Sequence, residues 1–195
     1  MRKLIYFVGM SLDGYIAGPN DDIAPFQGGD DFWAWLASAY PETLPAHVWP
    51  HFGIEPGTAP AHFDTLVMGR GTYDPALAVG IASPYPHMRT QYIVSSSLDS
   101  IDAPGVELVG GDPVGLVRRL KKEEGKDIWL AGGGTFAGQL IDEIDGLVIK
   151  TYPCVVGEGT RAFTGVFNPT QFALDRRQEF ENGTQVSWFH RADSQ

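Results

Sequence analysis

Short apolar segments recur along the chain, and most are followed by a turn containing glycine or serine and then by a segment with helical spacing. The segments that we expect to be strands are 4–10, 65–68, 91–95, 106–109, 128–131 and 147–152. Nearly continuous apolar character is typical of strands buried on both faces, and strands that alternate with helices favour a parallel sheet. The alternation predicts an α/β fold, with a mainly parallel central sheet and helices on both of its faces.

The last part of the chain predicts an antiparallel hairpin at one edge of this sheet. Residues 172–180 and 184–190 are joined by Glu181, Asn182 and Gly183. Asn-Gly between two alternating segments is a strong hairpin signal, because both residues tolerate the positive φ angles of a tight turn.

Several residues are predicted to begin helices. Asp30 or Asp31 is a candidate cap for a helix through residues 32–36, and Thr72 for a second helix. Asp112 precedes Pro113, which is typical of a cap followed by the first helical residue. A further helix is expected over 135–143.

Length and composition predict one domain over residues 1–195. Apolar residues make up 43% of the 195-residue chain and charged residues 19%, which is enough apolar material for a core. Residues 41–60 are rich in proline and lack periodicity, so we interpret them as a long surface loop, a lid or an insertion.

Charge, cysteine content and histidine spacing argue against a nucleic-acid surface, an internal disulfide and a metal site. The formal charge is −10 without a long basic run, which argues against a nucleic-acid surface. Cys154 is the single cysteine, so no internal disulfide can form, as is usual in a reducing compartment. We expect a cytoplasmic protein without membrane segments. Pro50 lies between His47 and His51 and disfavours a metal site there, and none is predicted.

Three consecutive glycines suggest a phosphate site. Gly132, Gly133 and Gly134 follow a predicted strand, and Thr135 begins a predicted helix. Glycines let main-chain N–H groups approach a pyrophosphate closely, and a helix start adds a positive dipole end. The pattern is not the dinucleotide fingerprint G-x-G-x-x-G. A plain tight turn is the alternative interpretation.

A second set of polar residues follows two other predicted strands. Arg70 comes after Gly69, and a run of three serines begins at Ser95. A guanidinium beside several hydroxyls suits a phosphate monoester such as the 2′-phosphate of NADPH. The alternative is a solvated arginine and a solvated serine loop.

Asp13 lies between the first strand and its apolar continuation at Tyr15, Ile16 and Ala17. Its carboxyl group could contact a polar substrate or help to deliver a proton. Asp before Gly14 is also an ordinary turn residue whose side chain bonds nearby backbone. The sequence alone leaves these alternatives open.

Taken together, these motifs resemble the dihydrofolate reductase-like superfamily, and most closely the C-terminal reductase domain of riboflavin-pathway enzymes and its stand-alone relatives. The resemblance rests on Ser11-Leu12-Asp13-Gly14, Gly69-Arg70-Gly71-Thr72-Tyr73, Ser95-Ser96-Ser97, Gly132-Gly133-Gly134 and Gly157-Glu158-Gly159, in this order. It extends over nearly the whole chain, apart from the proline-rich segment.

The resemblance implies an NADPH-dependent reductase that transfers hydride to a small heterocyclic substrate, similar to 5-amino-6-(phosphoribosylamino)uracil reductase or dihydrofolate reductase, and it also implies a homodimer. By position, the adenosine phosphate end would be held by Gly69, Arg70, Thr72, Ser95 and Ser96. The pyrophosphate would be held by Gly132, Gly133, Gly134, Thr135 and Phe136. Ile16 and Ala17 would lie against the nicotinamide, and Asp13 would be the catalytic or substrate-contacting residue. Trp33, like Tyr15, Trp49 and Phe136, is available to line an aromatic substrate pocket.

Two departures limit the resemblance. The zinc-ligand pattern of the deaminase domain that usually precedes such reductases is absent from this sequence. Asp30 or Asp31 is only roughly placed for the acidic residue that contacts pterin in dihydrofolate reductases, so folate is not the favoured substrate. A nucleotide- or antifolate-binding protein without catalysis is the second hypothesis.

Overall fold

Ten β-strands and four α-helices make up the regular structure of a computed structural model that describes residues 1–192. The strands are β1 Leu4–Met10, β2 Tyr15–Ala17, β3 Phe63–Gly69, β4 Thr90–Val94, β5 Val106–Val109, β6 Asp127–Gly132, β7 Gly146–Thr151, β8 Thr160–Arg161, β9 Phe172–Glu179 and β10 Gln185–Arg191. The helices are α1 Asp30–Ala39, α2 Arg70–Ala78, α3 Pro113–Leu120 and α4 Gly134–Gln139. Short 3-10 helices cover Pro19–Asp21, Pro41–Thr43, Ala46–Phe52 and Ile141–Glu143.

Eight of the strands form one sheet in the order β5-β4-β3-β6-β1-β7-β10-β9. Neighbours from β5 to β7 are parallel, whereas β10 pairs antiparallel with both β7 and β9. The mainly parallel sheet and its antiparallel C-terminal hairpin are therefore confirmed. The carboxyl ends of β1, β3, β4 and β6 lie at one edge, where parallel sheets bind ligands.

Each face of the sheet carries its own apolar core. Phe32 and Leu36 of α1 and Tyr73 of α2 pack with Phe7 on one face. The other face holds Tyr6 and Val8 of β1 with residues of α3 and α4. Successive β1 side chains thus enter opposite cores, as strand geometry requires, and the prediction of helices on both faces is confirmed.

The prediction of a surface loop over residues 41–60 is wrong for its first half. Pro41, Glu42, Thr43, Leu44 and Trp49 are buried. The two 3-10 helices of this segment place these side chains against the core beside α1. Burial of Trp49 and Leu44 outweighs the irregular, proline-rich backbone, and Trp49 Nε1 donates to the Leu44 carbonyl at 2.9 Å. Only residues 53–60 resemble the expected loop.

Helix starts were predicted with mixed success. Asp112 accepts a hydrogen bond of 2.9 Å from the Gly115 amide and caps α3 as expected. Neither Asp30 nor Asp31 is a cap, because α1 begins at Asp30 and Gly29 precedes it. Thr72 lies inside α2, which begins at Arg70. The helix expected over 135–143 is a six-residue α-helix followed by a 3-10 turn.

Candidate functional site

The two sets of phosphate-binding candidates lie side by side at the carboxyl edge of the sheet. Strand β3 pairs with β4 on one side and with β6 on the other, so that Gly69 is opposite Val94 and Met68 is opposite Gly132. A β-carbon on Gly69 would lie 3.6 Å from the Gly132 carbonyl oxygen. Thr72 Oγ1 would lie 3.7 Å from a β-carbon on Gly132 and 3.8 Å from one on Gly133.

Arg70 is exposed, and its guanidinium joins α2 to the loop after β4. Its Nη1 donates to Ser97 Oγ at 2.6 Å, while Nε lies 3.2 Å from both carboxylate oxygens of Asp74. The side chains of Arg70 and Asp74 are 44% and 45% exposed, so water and salt weaken this ion pair. The guanidinium is accessible to an anion, but Asp74 competes for it.

The three serines after β4 have different roles from those predicted. Ser95 is buried, and its Oγ accepts hydrogen bonds from the main-chain amides of Ser97 and Leu98 at 3.2 and 3.1 Å. It therefore shapes the loop and does not offer its hydroxyl to a ligand. Ser96 is exposed, as a direct contact requires. Ser97 supplies the hydroxyl beside Arg70, a role that the sequence interpretation did not give it.

The glycines after β6 also differ among themselves. Gly132 is buried, Gly133 is half-buried, and the peptide between them is cis. Gly134 is buried beneath β8, because a β-carbon there would lie 1.8 Å from the Arg161 carbonyl oxygen. The structure thus gives Gly134 a packing role, and Gly133 is the glycine of this run with accessible surface. Helix α4 has only six residues, so its dipole cannot add the phosphate-binding contribution that was expected from a helix over 135–143.

The two residues after these glycines separate in the same way. Thr135 is exposed, and its Oγ1 lies 2.9 Å from Thr164 Oγ1. Phe136 is buried in the core beneath the sheet, where its Cβ would contact a β-carbon on Gly69 at 3.4 Å. Phe136 supports the site from below, and Thr135 offers a hydroxyl at its surface.

Strand β2 forms a wall beside the carboxyl end of β1. Ile16 is half-buried and Ala17 is buried, and β2 pairs antiparallel with β8. Arg161 of β8 lies over the Tyr15 ring, with Cζ 4.7 Å from the ring centre. The pairing fixes the backbone of Ile16 and Ala17, which the resemblance places against the nicotinamide.

Asp13 is anchored in a network that keeps it ionised. Its carboxylate accepts hydrogen bonds from Ser11 Oγ at 2.6 Å, from the Val156 amide at 3.1 Å and from the Gly157 amide at 2.7 Å. The Ser11 hydroxyl first, and the two amides after it, lower the pKa of Asp13 to about 2. Asp13 therefore does not carry a proton at neutral pH, and the turn role described for it is present in the structure.

Aromatic side chains of α1 pack over one face of the sheet. Asp31 is not aimed at this face, because its two oxygens accept from the amides of Phe32 and Glu181 at 2.8 Å each. Trp33 is half-buried and lines a cavity of about 730 Å³ between α1 and residues 51–58, together with Asp30. Neither Asp30 nor Asp31 therefore lies between α1 and the sheet, where the acidic residue that contacts pterin was expected.

Lys150 on β7 lies deep in the protein on the same face of the sheet, with Nζ 4.3 Å from the centre of the Phe7 ring. The sequence interpretation did not single it out. The sequence feature that could have indicated it is a lysine between Ile149 and Thr151, inside an otherwise apolar strand.

Residues 1–192 also lack two features that other classes of function require. In that part of the chain, no helix has the length and apolar character needed to cross a bilayer. Nor do the same residues contain a group of three or more His, Cys, Asp or Glu side chains placed to hold a metal ion.

Comparison with known families gives a match over almost the entire chain. The model of the family described as the RibD C-terminal domain matches residues 2–186. The uncharacterized protein YwjB of Bacillus subtilis (strain 168) is 28% identical over 193 residues, which cover 96% of this chain and 97% of YwjB.

Two solved structures share the fold. The putative riboflavin biosynthesis protein from Shewanella sp. PV-4 has a TM-score of 0.68 at 23% identity, covering 98% of this chain and 99% of that one. Dihydrofolate reductase from Enterococcus faecalis, complexed with NADP(H) and RAB-propyl, has a TM-score of 0.65 at 17% identity, covering 98% and 97%. The dihydrofolate reductase-like fold expected from the sequence is confirmed.

Proposed function

Since the chain belongs to the RibD C-terminal domain family, we propose that it is an NADPH-dependent reductase that transfers hydride to a small heterocyclic substrate. The substrate would carry a C=N or C=O bond, as in the reaction of 5-amino-6-(phosphoribosylamino)uracil reductase. The proposal also rests on the likeness in fold to a dihydrofolate reductase that was solved with NADP(H).

The observation that carries the proposal is the juxtaposition of two candidate anion sites, the corners, at one edge of the sheet. The accessible Gly133 backbone and the Thr72 hydroxyl form the first corner, and the Arg70 guanidinium with Ser97 forms the second. Pairing of β3 with both β4 and β6 holds them next to each other. A dinucleotide has phosphates at two separated positions, so it suits such a pair of corners.

The donors at the second corner fit the phosphate monoester that distinguishes NADPH from NADH. Arg70 presents a planar fork of N–H groups with the Ser97 hydroxyl beside it, and Ser96 is exposed in the same loop. Gly133 carries no β-carbon that would cover its backbone beside Thr72. The donor set thus agrees with NADPH, although Asp74 reduces the net positive charge.

When bound, NADPH would supply the hydride, and the protein would position the reactants and exclude water. Ile16 and Ala17, held by the β2–β8 pairing, would form one wall of the nicotinamide pocket. Asp13 would act as an ionised anchor for the loop at Val156 and Gly157, and it would not donate the proton.

The test combines cofactor binding with turnover on the whole protein. Isothermal titration should give at least tenfold tighter binding of NADPH than of NADH, because Arg70 and the serines contact only the 2′-phosphate. NADPH oxidation should then be followed with a panel of pteridines, flavins and aminopyrimidines. Equal affinity for the two cofactors would contradict the role of Arg70, and failure to bind either would overturn the proposal.

A second function, binding without catalysis, is favoured by one observation. Asp13, the acidic residue singled out in the resemblance, is ionised and engaged in three hydrogen bonds from the protein. Tight NADPH binding, with no turnover of any compound in the panel, would support this alternative.

A further inference from the structure

Lys150 occupies a central position on the sheet. Strand β7 lies between β1 and β10, and Lys150 pairs with Gly9 on one side and with Val186 on the other. Side chains alternate along a strand, so Lys150 points to the same face as Val148 and Tyr152, which belong to the core under α1. Its ammonium lies 4.3 Å from the centre of the Phe7 ring.

This ammonium has no anionic partner among the described residues. Burial alone accounts for the change in the pKa of Lys150, which falls to about 8, and no carboxylate contributes to it. The core on this face also holds the hydroxyls of Tyr40 and Tyr152, whose pKa values are raised by burial, so that both stay neutral. The buried Glu42 carboxylate acts on Tyr40 and accepts from main-chain amides, but it makes no contribution to the pKa of Lys150. Arg176 is also on this face, with Cζ 3.7 Å from the centre of the Trp188 ring, and it acts on Tyr40.

Lys150 also keeps part of its surface accessible, although it lies deep in the protein. The centres of β1, β6 and β7 are fully buried, but Gly9, Ala131 and Lys150 near their carboxyl ends are half-buried. These three residues lie on adjacent strands, at the edge where β2 and the glycines after β6 begin. Lys150 is therefore partly accessible at the carboxyl edge of the sheet, on the strand next to β1 and close to where β2 begins.

An unpaired ammonium in such a place is costly unless a ligand brings it an acceptor. The cation–π contact with Phe7 offsets part of this cost and holds the ammonium over the Phe7 ring. No oxygen of a described carboxylate competes for the three N–H donors. A heterocycle with a carbonyl oxygen or ring nitrogen would supply the missing acceptor.

We propose that Lys150 is a catalytic residue: its ammonium donates a hydrogen bond to the heteroatom of the substrate C=N or C=O bond and transfers the proton to it during reduction. This inference rests on the proposed reductase function and deepens it. It also defines the substrate class as neutral or anionic heterocycles, because a cationic ring would be repelled.

Bound NADPH would supply the hydride: the C4–H bond of its dihydronicotinamide ring would break, and the hydride with its electron pair would form the new C–H bond at the substrate carbon. The π electrons of the C=N or C=O bond move to the heteroatom, which forms an N–H or O–H bond with the proton from Lys150 Nζ. The neutral amine is then protonated again by water, and the oxidised cofactor leaves.

The kinetic test compares wild type, Lys150→Met, Lys150→Arg and the exposed control Lys122→Met in NADPH oxidation with the panel named above. General acids contribute about 10²- to 10⁴-fold, so Lys150→Met should lose at least ~100-fold in kcat. Lys150→Arg keeps the charge but holds its proton too tightly to transfer it, and it should not restore kcat. NADPH affinity should change by less than about twofold in all three variants, since Lys150 contacts only the substrate.

The pH profile separates proton transfer from simple positioning. Wild-type kcat should fall as pH rises through about 8, because the ammonium loses its proton there. That limb should be absent from the residual activity of Lys150→Met. Equal kcat for Lys150→Met and wild type, or recovery of full kcat in Lys150→Arg, would overturn the acid role.

A binding measurement tests the contact between Lys150 and the heterocycle without requiring turnover. Lysines are dimethylated with ¹³C-formaldehyde, and the Lys150 signal is assigned by its loss in Lys150→Met. With NADP⁺ present, this signal should shift when a panel heterocycle is added, while the Lys122 signal should not. Absence of turnover alone would count against the reductase function, whereas a Lys150 signal that no heterocycle shifts would overturn the substrate contact.

Discussion

Arg70 Nη1 donates a hydrogen bond of 2.6 Å to Ser97 Oγ and so joins the residues that follow two neighbouring parallel strands. The two residues are 27 positions apart in the chain. The pair places a cation and a hydroxyl together at the edge of the sheet where ligands of such folds bind.

Replacing Arg70 with alanine should weaken NADPH binding and leave NADH binding nearly unchanged. A hydrogen bond to a charged group contributes about 1.5–3 kcal/mol, so the NADPH Kd should rise about 10- to 100-fold. Arg89→Ala is a matched control, because Arg89 is also exposed but precedes β4 at the opposite end of that strand. Isothermal titration measures both, and equal effects of the two variants would contradict a specific site.

Removing the charge of Asp74 should have the opposite effect. Asp74→Asn frees the Arg70 guanidinium from a carboxylate 3.2 Å away and removes a repulsion toward phosphate. We expect a few-fold decrease in the NADPH Kd, which should be largest at low salt because these groups are exposed. Titrations at two ionic strengths check this, and weaker binding at low salt would show that Asp74 is needed to position Arg70.

Gly134→Ala should destabilise the protein. The added β-carbon would lie 1.8 Å from the Arg161 carbonyl oxygen, so β8 must move away from α4. Overpacking of this kind costs about 1–3 kcal/mol in the free energy of unfolding. In Gly71→Ala, the control, the β-carbon meets no atom within 4 Å inside α2, and about 0.5–1 kcal/mol of stability should be gained. Urea denaturation distinguishes the two signs.

Asp13→Asn should loosen the loop that Asp13 holds. The amide side chain loses the charge that accepts from the Val156 and Gly157 N–H groups. Hydrogen exchange at these two amides should become faster, and Asp22→Asn, in a different turn, should leave it unchanged. Since the pKa of Asp13 is lowered to about 2, the wild-type loop should keep its protection as pH falls through 4 and lose it only near pH 2.

Burial of Lys150 predicts a specific dependence of stability on pH. Its pKa falls from 10.5 to about 8 in the folded protein, so between these values the unfolded chain binds more protons and stability rises with pH. Each pKa unit corresponds to about 1.4 kcal/mol, which gives a rise of up to about 3 kcal/mol. Lys150→Met should lack this rise and be more stable than wild type at pH 7, whereas Lys122→Met should follow wild type in urea denaturation at pH 7 and pH 10.

Local signals in the sequence were sufficient for much of the fold. The apolar segments, the Asn182-Gly183 turn and the Asp112 cap each depend on residues close together in the chain, and the structure contains all three features. The motif of Arg70 and the glycines after β6 indicated the edge of the sheet correctly, because the ends of parallel strands must meet there.

Contacts between distant parts of the chain decided the rest. Gly134 is enclosed by β8, Ser95 turns inward to its own loop, and residues 41–49 fold into the core although their sequence is typical of a loop. The position of Lys150 also depends on distant parts of the chain. Pairing of β7 with β1 and β10 places its ammonium over Phe7, where no carboxylate pairs with it. Sequence periodicity indicates which side of a strand is buried, but the neighbours that pack there come from the whole fold, and they determine whether a side chain supports the core or faces a ligand.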